Sequence, residues 1–157
     1  SSMITGSILA KYEAAFAVIP LLVTFIPMLT DTGGNAGSQS STMIIRGMAV
    51  GEIEAGDILR VLWKELRVGV IVGVLLGLVN YIQLVIRFPG QEMLCLTVVL
   101  SLLATVMLAK TIGCVLPIVA QVLHLDPAIM AAPLITTIVD AVSLIIYFQL
   151  ACSLLKI

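Results

Sequence analysis

Charge is scarce in this sequence, and its scarcity excludes the most. Only 11% of the 157 residues are Asp, Glu, Lys or Arg, against about 25% in an average soluble domain. With 61% apolar residues and a mean hydropathy of +1.20, a chain this short cannot hide its apolar surface from water. Lipid is therefore the solvent for most of it. The net charge of −1 and the lack of a basic cluster with interleaved aromatics exclude a nucleic-acid partner. Cysteine is nearly absent too: Cys95, Cys114 and Cys152 are widely spaced in apolar runs with no C-x-x-C pair. That excludes a zinc centre or disulfide framework and leaves thiols packed in the membrane. Histidine occurs once, as His124 beside a turn, an interfacial residue rather than a catalyst. No basic n-region marks a signal peptide.

What the sequence does have is long apolar runs. A spanning helix needs about 20 residues. Residues 1–11 are too short and read as the tail of an incomplete first helix. Further spans are expected at about 14–46, 68–87, 92–124 and 127–155. The expected fold class is all-α, a polytopic membrane helix bundle.

Between Glu13 and Arg46 the single charge is Asp31. As one helix this run would be about 48 Å long, beyond a hydrocarbon core of about 30 Å. It must tilt, project or break, with Pro20 and Pro27 as kinks and Gly33, Gly34 and Gly37 loosening the middle. At 100° per residue, Thr24, Asp31, Asn35, Ser38, Gln39, Thr42 and Arg46 fall within an arc of roughly 100°. Phe25, Ile26, Leu29, Gly33, Ala36 and Ile44 take the other side. Such a stripe can glue helices together. With a mid-span carboxylate it is better read as the wall of an aqueous path.

Residues 46–67 carry most of the remaining charge. Asp57 is the expected N-cap of a short amphipathic helix through Leu66, and Trp63 suits the interface. Arg46, Arg60, Lys64 and Arg67 are four of the eight basic residues, which makes this loop the cytoplasmic side. The default for its charges, Glu65 included, is a solvated loop.

Gly69, Gly73 and Gly77 form a face for close approach by a neighbouring helix or a second subunit. Thr97, Ser101 and Thr105 share a face and read as packing contacts. Lys110 must snorkel, pair with an acid, or mark where its helix leaves the core, and the last is expected. Asp126 and Pro127 read as N-cap and N1 of the final helix. Its single internal charge is Asp140, near mid-span, sharing a face with Pro133, Thr136 and Thr137. Pro133 leaves a preceding carbonyl without its helical donor.

Two helices thus each place a carboxylate near mid-membrane, together with amide and hydroxyl oxygens and no thiolate or imidazole in reach. Oxygen-only donors suit hard cations, and few carboxylates favour Mg²⁺, which keeps its waters. Asn35, one turn from Asp31, could hydrogen-bond such waters, and a two-fold dimer would bring a second Asp140 to the axis.

The run PMLTDTGGNAGSQSSTMIIRG, Pro27 to Gly47, resembles the signature of the MgtE family of Mg²⁺ channels and transporters. PLITTIVD, Pro133 to Asp140, resembles that family's ion-site segment. The resemblance implies a homodimer with five transmembrane helices per subunit and a pore near the dimer axis. It makes Asp140 the acid facing the ion, and Asp31, Asn35 and Thr136 pore-lining ligands, directly or through water. The transported and bound ion would be Mg²⁺, with Mn²⁺ and Co²⁺ left open. The location would be a bacterial or archaeal plasma membrane. The family's cytoplasmic regulatory domains, a helical N domain and a CBS pair, have no counterpart in these residues. Ala132 stands where some relatives carry a polar amide.

Three rival readings remain. A proton- or sodium-coupled secondary carrier also uses mid-membrane carboxylates and broken helices. An intramembrane aspartyl protease needs two acids, but the G-x-G-D motif is missing, and a serine nucleophile would have no in-membrane histidine as base. No enzyme is expected. A purely structural role would rest on the glycine-rich span.

Overall fold

A computed structural model describes residues 2–13, 20–127 and 132–155. Among them every regular element is helical: α1 (Ser2–Lys11), α2 (Leu21–Thr24), α3 (Ile26–Ala49), α4 (Ile58–Arg87), α5 (Glu92–Val122) and α6 (Ala132–Leu155). A 3-10 turn, Ala55–Asp57, precedes α4. The all-α bundle expected from composition is what forms. Among the described residues three helices are long and apolar enough to cross a membrane: Ile58–Arg87, Glu92–Val122 and Pro133–Leu155.

Helix α5 is the centre of the bundle. It packs on α3, α4 and α6, and α3 also packs on α6, so α3, α5 and α6 form a triangle with α4 outside it. Helix α1 lies against α6. Leu22, Leu29, Leu102, Tyr147 and Phe148 are fully buried at one end of the triangle. There the Tyr147 hydroxyl donates to the Leu22 carbonyl at 2.9 Å, tying α6 to α2. Outward, α4 exposes Val70, Ile71, Leu75, Val79 and Ile82, an apolar face suited to lipid.

Apolar side chains gain nothing from leaving lipid for one another, so helix association in a membrane rests on close packing and polar links. Small residues supply the first. A methyl group added at Gly33 would come within 2.6 Å of Thr105 Cγ2, and one at Gly37 within 2.9 Å of Ile135 Cγ2. One at Gly113 would collide with the Gly37 carbonyl oxygen. Gly73 and Gly77 face Leu103 and Val99, so the glycine face of α4 serves the neighbouring α5.

The helix breaks differ from expectation. Helix α3 runs through Gly33, Gly34 and Gly37 without interruption; its break is upstream at Phe25, with Pro27 in the first turn. The glycines serve packing instead of loosening. The short helix expected to end at Leu66 does not end there, because nothing between Leu66 and Gly69 interrupts the backbone ladder. Helix α4 is continuous over 30 residues. Asp57 flanks its start, but its carboxylate accepts the Glu54 N–H at 3.1 Å instead of capping α4. Helix α5 continues through Pro117 and ends at a turn where His124 takes φ 59°. The helix start expected at Asp126–Pro127, and the carbonyl freed by Pro133, fall partly on residues 128–131, outside the described residues. All three cysteines are free thiols, Cys95 and Cys114 of them buried.

Candidate functional site

The polar stripe of α3 lies on the face that the bundle leaves uncovered. Asp31, Asn35, Gln39, Thr42 and Arg46 are exposed, Ser38 is half-buried, and Thr24, also exposed, lies at the end of α2 beyond the break at Phe25. The opposite face is packed: Leu29, Gly33, Ala36, Ser40 and Ile44 are all buried. A face carrying carboxylate, amides and hydroxyls cannot rest against hydrocarbon, since each unsatisfied polar group there costs several kcal/mol. It requires water or another polar surface.

Asp140 comes to the edge of this stripe. A methyl group at Gly34 would lie 3.2 Å from Thr136 Cγ2 and 3.9 Å from Asp140 Oδ1. The missing side chain at Gly34 therefore admits the Thr136–Asp140 face of α6. Asn35 follows Gly34 directly and Asp31 lies three residues before it, and the Asp31 charge acts on Asp140 through space as a like charge. Thr136 and Asp140 are half-buried, at the margin between bundle and open face. Thr136 and Asp140 thus meet α3 at Gly34, within one turn of Asp31 and Asn35 along the helix.

The hydroxyls on α6 are oriented by the backbone. Thr136 Oγ1 and Thr137 Oγ1 both donate to the Pro133 carbonyl, at 3.1 and 2.9 Å. With its proton so used, each Oγ1 offers lone pairs outward, the state in which a hydroxyl serves a cation or its water. On the stripe, Thr42 Oγ1 donates to the Ser38 carbonyl at 2.9 Å and is left as an acceptor in the same way. Among the described residues no three His, Cys, Asp or Glu side chains assemble.

Thr97 and Ser101 donate back to their own helix, at 2.8 and 2.7 Å, and are buried, as expected of packing residues. Lys110 does not mark where α5 leaves the core. It is 5% exposed, and its Nζ lies 3.3 Å from Glu65 Oε2. Glu65 is likewise no solvated loop residue, being 4% exposed within α4. Ser40 Oγ donates to Glu65 Oε2 at 2.5 Å and accepts from Lys110 Nζ at 3.2 Å, closing a buried triangle. Sequence reasoning missed this trio because Glu65 sits among surface-type charges. The available signal was that Glu65 and Gly69 lie one turn apart on the close-approach face of α4.

The chain is similar to known proteins over nearly all its length. The MgtE family model, described as a divalent cation transporter, matches residues 26–150. The chain is 35% identical over 156 residues to the magnesium transporter MgtE of Thermus thermophilus, covering 99% of the chain and 34% of that protein. It is 35% identical over 149 residues to the protein of that name in Bacillus subtilis, covering 95% of the chain and 33% of the relative. With the Enterococcus faecalis protein of the same name it shares 29% identity over 155 residues, 98% of the chain and 34% of the relative. The chain therefore spans about a third of the length of these relatives.

Proposed function

Because the chain belongs to the MgtE family of divalent cation transporters, we propose that this integral membrane protein carries Mg²⁺ through an aqueous path walled by α3 and α6. The observation that carries this reading is the uncovered polar stripe of α3 meeting Asp140 and Thr136 at Gly34. Asp140 is the principal acid toward the ion. Asp31, Asn35 and Thr136 act directly or through retained water. A strongly hydrated cation needs oxygens spaced for its water shell, and an amide and two hydroxyl lone-pair sets beside two carboxylates meet that need.

The stripe also argues for a second copy of the chain. An exposed polar face on one side of a bundle and an exposed apolar face on α4 together suit a homodimer with α3 and α6 toward its axis and α4 toward lipid. Two Asp140 carboxylates would then face one path. The chain crosses the membrane several times with residues 46–67 on the cytoplasmic side, consistent with the basic residues there. Residues 1–157 form a single ion-conducting domain, to which cytoplasmic regulatory domains of a longer protein are partners. The family is described as divalent cation transporters, in keeping with transport and not an enzymatic reaction.

The test is Mg²⁺ entry into lipid vesicles containing the protein, followed by an internal fluorescent indicator. Wild-type vesicles should fill down an imposed gradient, and Asp140→Ala vesicles should not. Equal filling by the two would remove Asp140 from the ion path.

A further inference from the structure

The ion path leaves the Ser40–Glu65–Lys110 triangle unused, although it joins α3, α4 and α5 at one point. Desolvation makes buried ion pairs poor stabilisers, and apolar side chains of similar volume often do as well or better. The triangle adds something an apolar contact lacks, which is direction. Its hydrogen bonds hold only over a narrow range of distance and angle.

Its setting makes that direction matter. Ser40 is one turn from Gly37, Glu65 one turn from Gly69, and Lys110 one turn from Gly113. Gly37 and Gly113 bring the α3 and α5 backbones into contact, and a methyl group at Gly69 would lie 3.3 Å from Lys110 Cδ. Three helices are thus drawn close by glycine and joined by polar bonds within the same turn. At 100° per residue Ser40 lies about 180° around α3 from Asp31. A rotation of α3 that broke the Ser40 bonds would turn the stripe by the same angle. The same helix presents Gly34 to Asp140, and a methyl group added at Gly37 would lie 3.3 Å from Val139 Cγ2. A slide along its axis would misalign Asp31 and Asn35 with Asp140 and Thr136. Beyond Ser40 the helix is flanked on one side by a cavity of about 550 Å³ bordered by Met43, Arg46, Lys64 and Glu65. Packing on that side does not enclose the helix, whose opposite side holds buried Ile44 against Cys114 and Ile118.

We propose that Ser40, Glu65 and Lys110 are positioning residues for ion transport, fixing the rotation and depth of α3 and hence the spacing of its stripe against Asp140. This rests on the ion path proposed above. Neither Glu65 nor Lys110 touches the ion.

The experiment uses the protein in lipid vesicles and measures Mg²⁺ entry over a range of concentrations. The variant Glu65→Met/Lys110→Met removes both charges at similar volume. It should elute and melt like wild type, while its maximal flux falls about tenfold, the scale on which small misplacements act. Its half-saturating concentration should stay within about twofold, since the groups that bind the ion are intact. Lys110→Arg, which keeps charge and hydrogen bonding, should retain flux. Undiminished maximal flux in a well-folded double variant overturns the proposal. Should that variant not fold, Ser40→Ala decides, because it leaves the ion pair and removes only the link to α3. A lower maximal flux at unchanged melting temperature supports the assignment, and wild-type flux overturns it. If wild-type vesicles admit no Mg²⁺, the transport reading falls and the assignment with it. Flux in wild type with no change in either variant removes the assignment alone.

Discussion

Asp140 and Glu65 stand on helices of membrane length, and each faces α3, but their surroundings are opposite. Asp140 lies half-buried at the rim of an uncovered polar face, beside Asp31, a group of the same sign. Glu65 lies on the packed side, sealed from solvent with a lysine at 3.3 Å and a serine hydroxyl at 2.5 Å. One helix thus has two faces with two uses for carboxylate. A carboxylate whose charge is already balanced has little left to offer a passing cation. One set beside a like charge, open to water, gains most from a cation's arrival. In the reading proposed above, the difference separates a group that handles an ion from one that holds helices.

The comparison can be broken at four points. The largest effect is expected from Lys110→Met alone, which strands the buried Glu65 charge and should cost about 3–5 kcal/mol. Thermal unfolding in detergent should show a large drop, most of it recovered in the double variant Glu65→Met/Lys110→Met. Asp140→Ala should do the reverse, lowering Mg²⁺ flux by about a hundredfold while leaving the melting temperature nearly unchanged. If Asp140→Ala unfolded the protein as readily as Lys110→Met, the two carboxylates would share a structural role and the contrast would collapse. Gly113→Ala pushes a methyl group into the Gly37 carbonyl, and overpacking of this kind costs about 1–3 kcal/mol. It should lower both stability and flux, because the α3–α5 contact serves both faces. The smallest effect is expected from Asp31→Asn, which keeps the oxygen and the shape and removes one charge. Flux at low Mg²⁺ should fall by about tenfold or less, and a rise in the half-saturating concentration would show that the charge acts on binding.

The candidate site was drawn from the sequence alone. Asp31 and Asp140 stood out because a charge inside an apolar run is costly wherever it faces lipid, and the family resemblance added Asn35 and Thr136. The one-sided stripe followed from helical periodicity, and its polar members are the exposed or half-buried ones on α3. The buried trio was not legible. Glu65 lies between Lys64 and Arg67, where charge density suggests water, and Lys110 offered three outcomes of which two were wrong. Pairing across 45 residues leaves no local trace. The role of Gly33, Gly34 and Gly37 was misjudged for a related reason. Glycine weakens a helix by about 1 kcal/mol per residue in isolation, yet here each is compensated by a neighbour that needs its missing side chain.

By itself, then, the sequence determined the solvent, the helices and the polar face of α3, because hydropathy and a 3.6-residue period act locally along the chain. Tertiary structure decided which carboxylate stays open and which is closed. A charge cannot be assigned a partner until other helices have been placed against it. Only the approach of α4 and α5, allowed by glycine at residues 37, 69 and 113, brought Lys110 to Glu65 and left Asp140 at the rim.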